Sequence, residues 1–109
     1  MTLDPLKVDF TFRGHDFHQL KRSGKVALYS RISAGGKLII GYEVIRIKDV
    51  PEKRWPNGKV TVAHEGYPGD EEFGHKGWYF VAEDEEGALK RYKSECRAAE
   101  KREKERGVA

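Results

Sequence analysis

The order of the periodicities constrains this chain most. Every stretch of two-residue alternation comes before the single stretch of helical spacing. Val8, Phe10 and Phe12 alternate with Asp9, Thr11 and Arg13 between Lys7 and Arg13, which predicts a half-buried strand. Gly14-His15 turns the chain into a second strand over Asp16 to Arg22, with Phe17 or Leu20 inward. Ser23-Gly24 precedes a third alternation from Lys25 to Ile32, and Ala34-Gly35-Gly36 is a further hairpin turn. Leu38 to Lys48 is the longest strand, and its apolar phase shifts near Gly41, as at a bulge or sharp bend. A loop from Val50-Pro51 to Gly58 leads to a short fifth strand, Lys59 to Ala63, and a sixth is expected over Trp78 to Ala82.

Asp84 then supplies an N-cap, with Glu85 and Glu86 at the positive end of a helix dipole. Ala88, Leu89, Tyr92, Cys96 and Ala99 recur on one helical stripe. Beyond Ala99 only charged residues follow to Arg106, so a frayed or protruding end is expected. With no βαβ unit, the fold class is α+β: an antiparallel sheet of four to six strands with one C-terminal helix packed on one face. All 109 residues read as one domain, with the sheet over 6–82 and the helix over 84–106.

No apolar run approaches the roughly 20 residues that span a bilayer. The first residues lack the apolar centre of a leader peptide, and the lone Cys96 suits a reducing compartment. A cytoplasmic location without membrane association is the expectation, as a monomer or as a homodimer paired through a sheet edge or through the protruding helix.

Charge is segregated. Residues 1–62 carry 12 basic and 6 acidic side chains, residues 63–82 one basic and four acidic, and residues 83–109 eight of each. Arg22, Lys25, Arg31, Arg46 and Lys48, with Tyr29 and Tyr42 nearby, suggest a basic sheet that neutralises phosphates and stacks bases. The same excess is common on proteins with no nucleic-acid partner.

Between His64 and His75 lie Glu65, Asp70, Glu71 and Glu72, types that ligate transition metals. Their spacing matches no metal motif, and the reading calls for neither metal nor cofactor. General acid–base work by His15, His18, His64 or His75 needs a pocket that perturbs a pKa, which one sheet and one helix scarcely enclose. Ser23, Ser30 and Ser33 fall in strands or turns, and Cys96 lies on the apolar stripe. A binding role is therefore preferred to an enzymatic one. Trp55, Tyr67, Asp70, Glu71, Glu72 and Phe73 combine aromatic anchors with an acidic loop, as interface residues do. Trp78 is expected in the core and Trp55 nearer the surface.

Three segments carry a resemblance: Tyr42 to Lys48, Glu65 to Trp78 and Glu83 to Tyr92. Their Tyr-Glu-Val-Ile strand, Tyr-Pro-x-x-Glu-x-Phe-Gly loop, Trp strand and short helix resemble small accessory proteins of phages and prophages. The resemblance covers roughly residues 8 to 94 and assigns no chemistry. It implies a non-enzymatic inhibitor in the host cytoplasm, acting on a host protein or protein complex such as a CRISPR defence system. On the residues alone, nucleic-acid binding through the basic sheet is the alternative.

Overall fold

The computed structural model describes residues 3–12, 14–33, 35–36 and 38–107. Nine strands precede the helix among them. They are β1 (Asp9–Phe12), β2 (His15–Ser23), β3 (Val26–Ile32), β4 (Ile39–Arg46), β5 (Lys48–Val50), β6 (Lys53–Arg54), β7 (Val60–Thr61), β8 (His64–Gly66) and β9 (Gly77–Val81). The helix α1 runs Glu85–Gly107 after a 3₁₀ turn at Ala82–Asp84. Five strands form one antiparallel sheet in the order β1-β2-β3-β4-β9, and β5-β8 and β6-β7 are small separate ladders. The fold is thus α+β.

β3 and β4 are central because their residues are apolar on both faces of the pleat. On one face Phe17, Ala27, Tyr29, Ile45 and Ile47 form a core that Leu6, Phe10, Tyr67 and Phe73 cover. On the other, Leu28, Tyr42 and Val44 meet Ala88 of α1, flanked by Trp78, Phe80, Leu89 and Tyr92. The helix therefore covers one face only. The chain from β8 to β9 folds back over the opposite face as an irregular strap, laying Tyr67 and Phe73 on that core. Trp78 lies half-buried under the helix, with Arg46 and Arg91 stacked on its ring at 5.5 and 4.6 Å.

Two local devices set register. Arg31 faces Gly41 while Ile32 faces Ile39, so Ile40 is the extra residue of a bulge beside Gly41. A second irregularity at Leu20 turns that side chain outward, leaving Phe17 as the buried residue of β2. The backbone stays helical to Gly107, although Glu100–Glu105 are exposed. Closely spaced charges of both signs along that segment help sustain a helix that buries nothing.

Asp84 caps the helix, its Oδ1 accepting from the Gly87 N–H at 3.1 Å. Replacing Asp84 with alanine orphans that donor and is expected to cost about 1 kcal/mol. Urea denaturation should show a lower midpoint at unchanged slope, and an unchanged midpoint would deny the cap any part in stability.

Candidate functional site

The strap leaves part of its sheet face uncovered, and there a cleft of about 510 Å³ opens. That volume is in the range of small-molecule sites. Its floor is the sheet: Phe10 of β1, Phe17 of β2, Arg31 of β3, Glu43 of β4 and Tyr79 of β9. Tyr67, Pro68, Gly69 and Phe73 of the strap form one wall, and Phe12 at the end of β1 completes the lining. Register places these residues together. Phe10 faces Phe17, Phe17 faces Arg31, Arg31 faces Gly41 and Glu43 faces Tyr79, so their side chains share one side of the pleat.

Gly41 makes room for Tyr79. A Cβ there would lie 2.5 Å from Cε2 of the ring, which crosses β4 so that Tyr79 Oη donates to the Ile40 carbonyl at 3.0 Å. Gly77 is similarly closed in by the Phe73 ring, 3.1 Å from where its Cβ would stand.

Tyr67 is the centre of the aromatic cluster. Its ring meets Phe10, Phe17, Tyr29 and Phe73 at centroid distances of 5.5, 6.0, 5.6 and 6.5 Å. Its Oη donates to Glu43 Oε1 at 2.5 Å. Burial and the neighbouring carboxylate push the Tyr67 phenol far above its ordinary range, so it remains a donor. Arg31 lies between Phe17 and Tyr79, its guanidinium carbon 6.0 and 5.5 Å from their centroids. One terminal nitrogen donates to His15 Nδ1 at 3.3 Å, and the other stands 3.8 Å from Glu43 Oε2. Its Nε is buried with no hydrogen-bond partner.

The strap is tied down by ions. Glu65, with a side chain only 7% exposed, accepts from Arg22 through both oxygens, at 2.8 and 2.6 Å. It also accepts from Lys25 and from the Leu6 N–H, which holds the N-terminal segment against β8. The Arg22 guanidinium foremost, with Lys25 and the Leu6 amide, keeps the Glu65 carboxyl well below the usual carboxylate range. Glu72 accepts from Lys48 at 2.8 Å and from the Gly69 N–H at 3.0 Å. These bonds, Lys48's foremost, lower its pKa to about 2.

The interface residues expected from sequence fall in three places. Tyr67 and Phe73 form the cleft wall, while Glu72 is engaged by Lys48, Lys76 and the strap backbone. Glu71 is exposed, and the Asp70 side chain lies outside the described residues. Trp55 stands apart in the β6–β7 hairpin, 45% exposed, with its indole N–H on Thr61 Oγ1 and Lys53 over its ring. All five basic residues of the nucleic-acid alternative face carboxylates: Arg22 and Lys25 on Glu65, Arg31 beside Glu43, Arg46 on Glu95 and Lys48 on Glu72. Their charge is therefore largely balanced within the chain. Of the metal candidates, His64 Nδ1 bonds the Val62 carbonyl, and no group of three His, Cys, Asp or Glu suited to a metal occurs among the described residues.

Sequence reasoning missed the convergence of Phe10, Phe12, Phe17, Arg31, Glu43 and Tyr79. The available signal was one charged residue in each of the two longest alternating runs, Glu43 amid the apolar centre of one and Arg31 near the end of the other. No helix is long and apolar enough to cross a membrane among the described residues. No family model, curated protein or solved structure matches this chain.

Proposed function

We propose that this chain is a non-enzymatic binding protein of the phage accessory kind, acting on a host protein complex such as a defence system. The observation that carries the reading is the hairpin arm. Residues 51–62 are all exposed, with Trp55, Val60 and Val62 among the exposed large apolar side chains. A two-stranded hairpin is marginal by itself, and an arm with so much exposed apolar surface gains stability by docking on a partner. Turn chemistry shapes it: Gly58 has φ 88°, and Trp55 and Lys59 close the hairpin through a backbone bond of 2.9 Å. Lys53, Arg54 and Lys59 against Glu52 give the arm net positive charge, complementary to an acidic rim around an apolar pocket. In the cleft, the Tyr67 phenol held as a donor and the spent Tyr79 hydroxyl serve recognition more readily than proton transfer.

The test is an affinity capture from host lysate with nuclease, using the wild-type chain and a Trp55→Ala variant. A partner that survives nuclease and is lost with Trp55→Ala is the expected result, since central tryptophans commonly carry about 2 kcal/mol or more of binding. Recovery of nucleic acid alone, or of the same partner by both proteins, would overturn the assignment.

A further inference from the structure

The five-stranded sheet ends on β1 at one side and β9 at the other, and the two edges are built differently. β1 is guarded: it is four residues long, Asp9 stands within it and Lys7 precedes it. β9 reads Gly-Trp-Tyr-Phe-Val, without a charged residue or a proline. Its ladder with β4 runs from Ile45↔Gly77 to Gly41↔Val81 without a bulge. Tyr79 and Val81 are exposed on it. An apolar edge with none of the usual guards is a template for another strand.

The ladder fixes which backbone groups face outward. The Arg46 N–H donates to the Lys76 carbonyl at 2.8 Å, so alternation turns the groups of Trp78 and Phe80 towards β4 and those of Gly77, Tyr79 and Val81 away from it. At Gly77 the edge is closed, because its carbonyl accepts from the Gly74 N–H at 2.7 Å beside the Phe73↔Gly77 bridge. The Tyr79 N–H and carbonyl and the Val81 N–H have no partner among the described residues. The Tyr79 ring is drawn inward over β4 to the Ile40 carbonyl and does not shield them.

We propose that β9 pairs with β9 of a second copy of this chain, antiparallel about a two-fold axis at Phe80. The closed edge at Gly77 rules out a pairing centred on Tyr79, which would set Val81 against Gly77. The neighbouring register sets Tyr79 of each copy opposite Val81 of the other, and each such pair exchanges two backbone hydrogen bonds. A two-fold contact must be complementary to itself, and this strand is. Tyr79 meets Val81 on the strap side and Phe80 meets Phe80 on the helix side, aromatic and β-branched pairs that favour a ladder. The ends complement each other as well. Glu83 and Asp84 follow the strand, His75 and Lys76 precede it, all four are exposed, and antiparallel pairing directs the acidic end of one copy towards the basic end of the other. Both clefts then lie on one side of a continuous sheet and both helices on the other.

So short a contact belongs at the small end of specific interfaces, with Kd of about 10–100 µM. Sedimentation equilibrium of the full chain from about 5 µM to about 1 mM should show the dimer, and the amide signals of Tyr79, Phe80 and Val81 should move with concentration. Val81 has φ −66° and ψ 160°, which proline adopts, and its N–H serves no bond within the chain. Val81→Pro should therefore keep the wild-type Tm and associate at least about tenfold more weakly. Val81→Lys places a guarding charge at the same exposed position, should weaken pairing as much, and tests the edge should the proline variant not fold. Thr11→Lys on the β1 edge should leave association unchanged. A chain that stays monomeric at about 1 mM leaves the edge to a strand of another protein and overturns the assignment. So does a dimer that persists in folded Val81→Pro or Val81→Lys or is lost in Thr11→Lys, and so do concentration-dependent shifts confined to Glu100–Glu105, which would mark pairing through the helix.

Discussion

Replacing Tyr67 with alanine is expected to destabilise the fold by about 3–5 kcal/mol, the usual range for removing a large side chain from a packed cluster. The ring touches four other aromatic rings and its hydroxyl donates to a carboxylate 7% exposed. The variant loses both contributions and leaves Glu43 short of a donor. Tyr67→Phe keeps the ring and removes only the hydrogen bond, so about 1–2 kcal/mol is expected. Urea denaturation of the two variants separates the effects. Equal, small losses would mean that the strap is loosely held and that Tyr67 acts at the surface, as its place in the acidic loop first suggested.

Glu65→Ala is the second large effect. The side chain is 7% exposed and serves Arg22, Lys25 and the Leu6 N–H together. Breaking a buried pair commonly costs about 3–5 kcal/mol. Arg22 and Lys25 are 27% and 46% exposed and recover water once released, which reduces the expected loss to about 2–3 kcal/mol. A fall in Tm of roughly 10 °C or more follows for a chain of this length.

The pH dependence has a definite sign. Glu65 and Glu72 have folded pKa values below their ordinary 4.5, so each contributes stability above that pH and loses it as the pH falls. Wild-type stability should decline from pH 5 towards pH 2, with Glu65→Ala showing a shallower decline and Glu72→Gln removing a further part. A variant profile parallel to the wild type would show that Glu65 carries no linked protonation.

The helix, its Asp84 cap and the hairpin order were legible because each depends on neighbours in sequence: side-chain spacing, a capping oxygen three residues from its donor, and glycine turns. The phase shift at Gly41 likewise marked the bulge beside it. The second layer was not legible. Nothing local in Glu65 shows that Arg22, Lys25 and the Leu6 amide will surround it, since those partners lie 43, 40 and 59 residues away. Read as a run of charge, Glu65 to Glu72 looks like a free acidic loop. Folded, Glu65 and Glu72 become the pins that fasten a strap across the sheet.

The basic excess of residues 1–62 also changes meaning on folding. Arg22, Lys25, Arg31, Arg46 and Lys48 alternate along strands and suggest a cationic face, but register and the two covering layers bring a carboxylate to each. Sequence by itself determined the α+β class, the succession of the first four strands and the single capped helix, because periodicity and turn chemistry are local. Tertiary structure alone decided that Phe10, Phe17, Arg31, Glu43, Tyr67 and Tyr79 meet in one cleft. Antiparallel register and the return of the strap join residues distant in the chain, and pairwise burial of that kind leaves no period to read.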